Sequence, residues 1–187
     1  MLVSFTGAQS SGKTTLLRYF LERHQWGSVD EVTRRIRRNG FEINDGGSNY
    51  NDTQLAIFAD HIQNLFAYSG KEMNTILDRC LVDGWIYTKY FNDAGKVSDV
   101  IDNMFSCALI NLGYIERYDC IFYTSPYDVP LINDGERSTN ESFRNQIIKL
   151  YEELILNKFP NVYVLEGSVE SRYNKMVEII EDVKAKQ

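Results

Sequence analysis

Apolar residues in this chain alternate between short runs typical of buried strands and longer stretches with helical spacing. The first run, Leu2 to Thr6, consists mainly of strand formers, and after Gly7 it gives way to a helical pattern that begins near Lys13. Alternating strands and helices predict an α/β fold with a mainly parallel, five-stranded sheet covered on both faces. The remaining strand-like runs lie around residues 29–32, 75–77, 120–123 and 162–165, and the remaining helical patterns cover residues 53–66, 82–91, 100–115, 143–156 and 169–183.

A glycine-rich segment follows the first predicted strand. Residues 7–14 read Gly-Ala-Gln-Ser-Ser-Gly-Lys-Thr, a full match to the phosphate-loop pattern G-x-x-x-x-G-K-[ST]. In such a loop the backbone N–H groups and the start of the next helix surround phosphate oxygens. Lys13 should reach the β- and γ-phosphates, and the Thr14 hydroxyl is placed to bind Mg²⁺. The residues expected to bind the nucleotide are Gly7, Ala8, Gln9, Ser10, Ser11, Gly12, Lys13, Thr14 and Thr15.

Asp78 ends the third predicted strand, and Arg79 follows it directly. Ligands of open parallel sheets bind beyond the carboxyl ends of the strands, so Asp78 is the candidate acidic partner of the loop. It could hold Mg²⁺, directly or through water, or accept a proton from an attacking hydroxyl, and Arg79 could stabilise phosphate charge. The alternative is a local salt bridge between the two residues. Asp83 is an N-cap candidate as much as a catalytic one.

Four arginines follow Glu31 within residues 34–38. They form either a solvated turn without function or a patch that receives a phosphorylated or nucleic-acid substrate. Arg34 lies nearest to the end of the preceding strand and is the first candidate for substrate contact.

A second polar, basic segment follows the fourth strand and contains Arg137 and Arg144. An arginine from a closing segment is a recurrent way to stabilise the charge of a transferred phosphoryl group. We therefore assign both residues as catalytic candidates. The alternative is an ordinary surface loop.

Length, net charge and cysteine content limit the number of domains and the kinds of molecule that this protein is expected to bind. The chain has 187 residues, which predicts one compact domain, and 26 acidic against 20 basic residues give a net charge of -6. That charge argues against a surface that binds nucleic acid or anionic lipid throughout. No apolar run is long enough to span a membrane. Three widely spaced cysteines fit neither a disulfide framework nor a zinc site and predict reduced thiols in the cytoplasm.

Several short runs together carry a family resemblance. Besides Thr6 to Thr14, they are Glu-Val-Thr-Arg at 31–34, Ile-Leu-Asp at 76–78, Pro-Tyr-Asp-Val-Pro at 126–130, Asp-Gly-Glu-Arg at 134–137 and Val-Leu-Glu-Gly at 164–167. In these runs the chain resembles the ribosylnicotinamide kinase domain of NadR-type proteins and related small P-loop kinases found in phage genomes. The resemblance extends over nearly the whole chain.

The resemblance implies a nucleotide-kinase-like P-loop fold, a three-layer sandwich with sheet order 2-3-1-4-5, spanning residues 1–187 as one kinase domain. It implies ATP and Mg²⁺ as cofactors, a lid at about residues 132–145, Asp78 as the catalytic acidic residue, and Glu31 and Arg34 facing the acceptor nucleoside. The Asp78-Arg79 pair is more similar to nucleoside and nucleoside monophosphate kinases than to the Asp-Thr of ribosylnicotinamide kinases.

The implied activity is therefore transfer of the γ-phosphoryl group of ATP to a small nucleoside or nucleotide. Ribosylnicotinamide and a deoxynucleoside monophosphate are the two acceptors considered, and Arg79 with the arginine cluster favours the phosphorylated one. A kinase that acts on a base or an end within DNA, and a regulatory ATPase, are the alternatives.

Overall fold

The computed structural model describes residues 1–43, 49–129 and 140–186. Within them, five strands form one sheet with the order β2-β3-β1-β4-β5, and every neighbouring pair is parallel. The predicted parallel sheet and its strand order are thereby confirmed. The strands are β1 (Leu2–Thr6), β2 (Gly27–Val29), β3 (Thr75–Asp78), β4 (Cys120–Thr124) and β5 (Val162–Leu165).

Helices cover both faces of this sheet. The described helices are α1 (Lys13–Leu21), α2 (Val32–Arg38), α3 (Tyr50–Tyr68), α4 (Leu81–Asp93), α5 (Asp99–Ser106), α6 (Glu141–Leu154) and α7 (Val169–Lys184). The alternation of β1 sends Leu2 into a core shared with α3 to α6, and Val3 and Phe5 into a second core shared with α1 and α7. Two cores on opposite faces of one sheet confirm the three-layer sandwich.

Three local predictions were wrong. The strand predicted around residues 29–32 is β2, which ends at Val29, and the arginine run lies on helix α2 rather than in a turn. Val32 and Ile36, one helical turn apart, are both buried, and α2 packs against α3. The continuous helix predicted over 100–115 is instead α5 followed by a π-helix (Cys107–Asn111) and a 3-10 helix (Tyr114–Arg117).

Helix α4 begins directly after β3 and packs closely against α5. Gly84 makes this approach possible, since a Cβ atom there would lie 2.5 Å from Phe105 Cε1 and 3.2 Å from His61 Cδ2. Cys80 and Cys120 are buried and Cys107 is exposed, and all three are free thiols. Among the described helices, none has the length and apolar character needed to cross a membrane.

Candidate active site

The phosphate loop joins β1 to α1 and packs against the end of β4. Gly7 has φ +137°, and a Cβ atom there would lie 3.0 Å from the Thr124 carbonyl oxygen and 3.2 Å from the Thr124 hydroxyl. Gly12, with φ +86°, precedes α1 in the left-handed conformation that favours glycine. Both glycines of the motif are therefore required by backbone geometry.

The Lys13 side chain lies inside this loop. Its Nζ donates hydrogen bonds to the carbonyl oxygens of Gly7 at 2.8 Å and Ala8 at 2.6 Å, and to Ser11 Oγ at 3.1 Å. Burial of the amine, followed by repulsion from the Arg79 guanidinium, lowers the pKa of Lys13 to about 7. The loop therefore contains a cation that holds its proton weakly until an anion contacts it.

Asp78 lies next to the first residues of α1. Its Oδ2 accepts a hydrogen bond from Thr14 Oγ1 at 2.9 Å, and its Oδ1 is buried without a hydrogen-bond partner among the described residues. Burial, and then the Glu31 carboxylate, raise the pKa of Asp78. Thr15, the next loop residue, is exposed on the first turn of α1.

A hydroxyl and a carboxylate oxygen side by side fit the oxygen ligands that Mg²⁺ prefers. The described part of the chain contains no group of three or more His, Cys, Asp or Glu residues arranged for a metal ion. The remaining ligands of a magnesium ion at Thr14 and Asp78 would therefore come from phosphates and water, as is usual for this ion.

Arg79 organises a buried ionic network on the other side of the loop. Its Nε donates to Glu31 Oε1 at 2.7 Å, and its Nη1 donates to Asp83 Oδ1 at 2.8 Å and to the Gly7 carbonyl oxygen at 3.3 Å. The guanidinium thus pairs with Glu31 and Asp83 rather than with Asp78, so the local salt bridge considered from the sequence is wrong. Arg79 adopts φ +87°, a conformation that costs energy for a non-glycine residue and directs the side chain to these partners.

Asp83 connects this network to helix α6. Its Oδ1 also accepts a hydrogen bond from the Tyr151 hydroxyl at 2.9 Å, and that hydroxyl accepts one from Thr6 Oγ1 at 3.1 Å. Its Oδ2 accepts the Cys80 N–H at 3.0 Å, so Asp83 is the third residue of a capping box whose N-cap is Cys80, and not the N-cap itself. One carboxylate therefore joins the ends of β1, β3 and α6.

Of the other predicted residues, Glu31 and Arg34 belong to this ionic network, whereas Arg144 has different partners. Glu31 also accepts a hydrogen bond from Thr33 Oγ1 at 2.6 Å, and Arg34 Nε lies 3.4 Å from Glu31 Oε2. Arg144, on α6, donates through Nη2 to the carbonyl oxygens of Pro126 and Val129. Of the predicted lid, residues 132–139 with Arg137 lie outside the described residues, and residues 140–145 form the N-cap and first turn of α6.

Two residues of the site were missed by sequence reasoning. Arg172 on α7 is only 3% exposed and donates from Nη1 to the Ser11 carbonyl oxygen at 2.8 Å. The sequence did contain one sign of this role: Arg172 lies on the same helical face as the apolar residues Met176 and Ile180. A charged residue on a buried apolar face needs polar partners. Tyr87 on α4 donates to Gln9 Oε1 at 3.1 Å, and no sequence pattern indicated that contact.

Comparison with solved structures finds the same fold in nucleoside and nucleotide kinases. A deoxyadenosine kinase from M. mycoides, solved with the product dCMP and a flexible dCDP, has a TM-score of 0.70 and 16% identity over 97% of this chain and 100% of its own. The thymidylate kinase of Candida albicans has a TM-score of 0.65 and 16% identity, over 98% of this chain and 92% of its own.

NadR in complex with NR has a TM-score of 0.63 and 17% identity over 97% of this chain, which spans about half, 51%, of the NadR chain. The resemblance to NadR-type kinases is thereby confirmed in the fold. No curated protein matches the sequence.

A family model described as an AAA domain matches residues 2–172. The match includes the whole phosphate loop, all five strands, Asp78, Arg79 and Arg172. Because it spans well over half of the sequence, this chain belongs to that AAA domain family of P-loop proteins.

Proposed function

We propose that this protein is an ATP- and Mg²⁺-dependent kinase that transfers the γ-phosphoryl group to a hydroxyl of a small nucleoside. The observation that carries the proposal is the position of Arg79, which contacts the Gly7 carbonyl of the phosphate loop and the Glu31 carboxylate with one guanidinium. A donor site and a second polar site are thus adjacent, as phosphoryl transfer between two bound molecules requires. We further propose that residues 1–187 form one kinase domain with a lid at about residues 132–145.

On the donor side, Lys13 and the loop amides would hold the phosphates of ATP, and Thr14 with Asp78 would hold the magnesium ion. Bound Mg²⁺ neutralises phosphate charge as it develops during transfer. Asp78 already uses one oxygen to orient Thr14, so we assign it to the metal side of the reaction. Arg137 and Arg144 stay predictions as residues that contact the transferred group.

On the acceptor side, the ionic network favours a hydroxyl over a phosphate. Arg79 is 7% exposed and already paired with the carboxylates of Glu31 and Asp83, so it has little positive charge to offer an acceptor phosphate. These carboxylates, together with Asp78, would repel a second anion. The geometry thus supports a nucleoside acceptor, in contrast to the preference that the arginine-rich sequence suggests.

We assign Glu31 as the group that accepts the proton of the attacking hydroxyl. Hydrogen bonds from Arg79 and Thr33 fix the position of its carboxylate at the edge of the loop, and its side chain is largely buried. A positioned carboxylate contributes about a hundredfold or more to such a proton transfer. Arg34, paired with Glu31, would contact the same acceptor.

A nucleic-acid acceptor receives less support from the arginines of α2. Arg34 pairs with Glu31, and Arg35 Nε lies 2.7 Å from Asp60 Oδ2, so part of their charge is compensated within the protein. A phosphate-binding surface needs cations that are available to the backbone of the nucleic acid. A nucleoside is therefore a better supported acceptor than DNA.

Transfer of radiolabelled γ-phosphate from ATP to a panel of acceptors tests this proposal. The panel contains deoxyadenosine, deoxycytidine, ribosylnicotinamide, thymidylate, a DNA oligonucleotide and a reaction without acceptor. We expect label on one or more nucleosides. Label on thymidylate alone would contradict the acceptor assignment, label on DNA would favour the nucleic-acid alternative, and phosphate release without transfer would favour the regulatory ATPase.

Two substitutions test the assigned roles in the same assay. Glu31→Gln should lower kcat by about a hundredfold or more, because the proton acceptor is lost. ADP affinity should stay within about twofold, because Arg79 keeps its ion pair with Asp83. Asp78→Asn should lower kcat on the same scale and also raise the Mg²⁺ concentration needed for half-maximal rate. Glu153→Gln, on the exposed side of α6, is the control and should leave both quantities unchanged.

A further inference from the structure

We propose that Arg172 is a positioning residue for the donor phosphates, because it fixes the Ser11–Gly12 peptide of the phosphate loop in the orientation that binds them. The inference rests on the proposed function only in taking the loop as the site of a nucleotide. Arg172 itself lies behind the loop, 3% exposed, and is assigned no contact with the ligand.

The guanidinium of Arg172 joins three separate segments of the chain. Nη1 donates to the Ser11 carbonyl oxygen at 2.8 Å, Nη2 donates to that of Ser125 at 2.9 Å, and Nε donates to that of Gly167 at 2.9 Å. These carbonyls belong to the phosphate loop, to the segment after β4 and to the connection from β5 to α7. Since a guanidinium is planar and its N–H directions are fixed, the three contacts set the positions of the segments relative to one another.

The contact with Ser11 determines the direction of the next N–H group. A trans peptide is planar, so the Ser11 carbonyl and the Gly12 N–H point in opposite directions. Arg172 draws the carbonyl towards α7, and the Gly12 N–H is thereby directed towards the ligand side of the loop. Phosphate loops bind their anion through backbone N–H groups of this kind.

Gly12 makes such an external contact necessary. Its φ of +86° suits glycine, whose backbone also populates many other conformations. Without a contact on the Ser11 carbonyl, the peptide could rotate, and the loop would lose one preorganised donor. A Cβ atom on Gly12 would lie 3.6 Å from Arg172 Nη1, so the guanidinium packs directly against this glycine.

Asp128 holds the arginine in place and explains two of the runs singled out in the sequence. Its Oδ2 accepts the Gly167 N–H at 2.8 Å and lies 3.6 Å from Arg172 Nη2. Asp128, from the first of these runs, thus supplies a carboxylate to the guanidinium, and Gly167, from the second, supplies a carbonyl. They act on the loop through Arg172.

Binding of ADP and AMP, measured by isothermal titration calorimetry, tests the inference on the full chain. The two ligands differ in the β-phosphate, which the loop contacts. Arg172→Gln should raise the Kd of ADP about tenfold or more and that of AMP less than about twofold, since it removes an oriented donor to phosphate. Arg172→Lys keeps the positive charge but lacks the planar guanidinium with its several fixed N–H donors, and should raise the Kd of ADP about threefold or more.

The ratio of the two dissociation constants separates positioning from a general loss of structure. A purely structural role would lower Tm and weaken both ligands equally, which would overturn the inference. Unchanged ADP affinity in a folded Arg172→Lys protein would also overturn it, even if Arg172→Gln fails to fold. Lys175→Gln is the matched control, since it removes an exposed positive charge from the same helix and should change neither constant.

The proposed kinase activity and this inference can fail separately. Wild-type protein that binds ADP but phosphorylates no acceptor refutes the kinase and leaves the role of Arg172 measurable. A wild-type chain that binds no ADP at all would overturn both.

Discussion

Nucleotide binding should be coupled to uptake of a proton by Lys13. In the ligand-free loop, burial and the nearby Arg79 charge lower the pKa of this amine from its ordinary 10.5 to about 7. Phosphate oxygens in contact with the amine favour its charged form and raise the pKa again. Above pH 7 the proton must come from solution, so nucleotide affinity should fall as the pH rises.

The magnitude follows from the pKa. With a value of about 7, the free amine holds about 0.1 proton at pH 8 and about 0.01 at pH 9, which predicts a rise in Kd of about ninefold between them. ADP measured without Mg²⁺ is the suitable ligand, because a phosphate with a second pKa of about 6 is fully ionised over this range. Calorimetry at pH 8 in two buffers of different ionisation enthalpy should show uptake of about 0.9 proton per ADP.

Lys13→Arg is the control, since a guanidinium stays charged at both pH values. Its Kd for ADP should change by less than about twofold between pH 8 and 9. A wild-type affinity that is equally flat, with no proton uptake, would refute the reasoning. It would mean that the three hydrogen bonds of the Lys13 amine keep it charged in spite of its burial.

The lowered pKa of Lys13 also determines how the free energy of unfolding of the ligand-free protein changes with pH. Between pH 7 and 10.5 the unfolded chain binds the Lys13 proton and the folded chain does not, so this group makes the free energy of unfolding rise with pH. Below pH 7 both states hold the proton, and the cost of burying the charge is present in full. Subtracting the pH profile of Lys13→Met from that of the wild type isolates this contribution.

Two further predictions concern stability, measured by urea denaturation. Arg79→Met removes the buried cation that the Glu31 and Asp83 carboxylates share and should lower the free energy of unfolding by about 3–5 kcal/mol. Arg35→Met breaks the more exposed pair with Asp60 and should cost at most about 1 kcal/mol, and equal losses in the two variants would contradict the buried network. Gly84→Ala should cost about 1–3 kcal/mol through its clash with Phe105, and an unchanged midpoint would show that α5 moves aside freely.

The sheet and the phosphate loop could be predicted from sequence because their signals are local. Strand β1 is a run of strand formers that ends at Gly7, where the φ of +137° and the closeness of Thr124 require a glycine. Helix α1 shows its apolar spacing within two turns. Strand β2 carries no such signal, since Gly27 and Ser28 are weak strand formers and pairing with β3 decides their conformation. Helix α2 was not predicted because four of its seven residues are arginines and its buried positions are two, Val32 and Ile36.

The ionic network and Arg172 could not be derived in the same way. Arg79 meets a carboxylate 48 residues earlier, and Arg172 meets a carbonyl 161 residues earlier, so spacing along the chain carries no information about either contact. A lone arginine in an amphipathic helix is usually solvated, and only its place on the apolar face indicated otherwise. Contacts of this kind depend on tertiary packing, which turns distant residues into neighbours.

The central place of β1 in the sheet has a consequence for synthesis of the chain on the ribosome. Leu2–Thr6 is buried along its whole length and pairs with β3 on one side and β4 on the other. Its second partner is completed only at Thr124, which at about 5–20 residues per second is made about 6–24 seconds later. During that interval strand β1 is without its β4 partner, and its unpaired edge is a site on which a holdase chaperone would act.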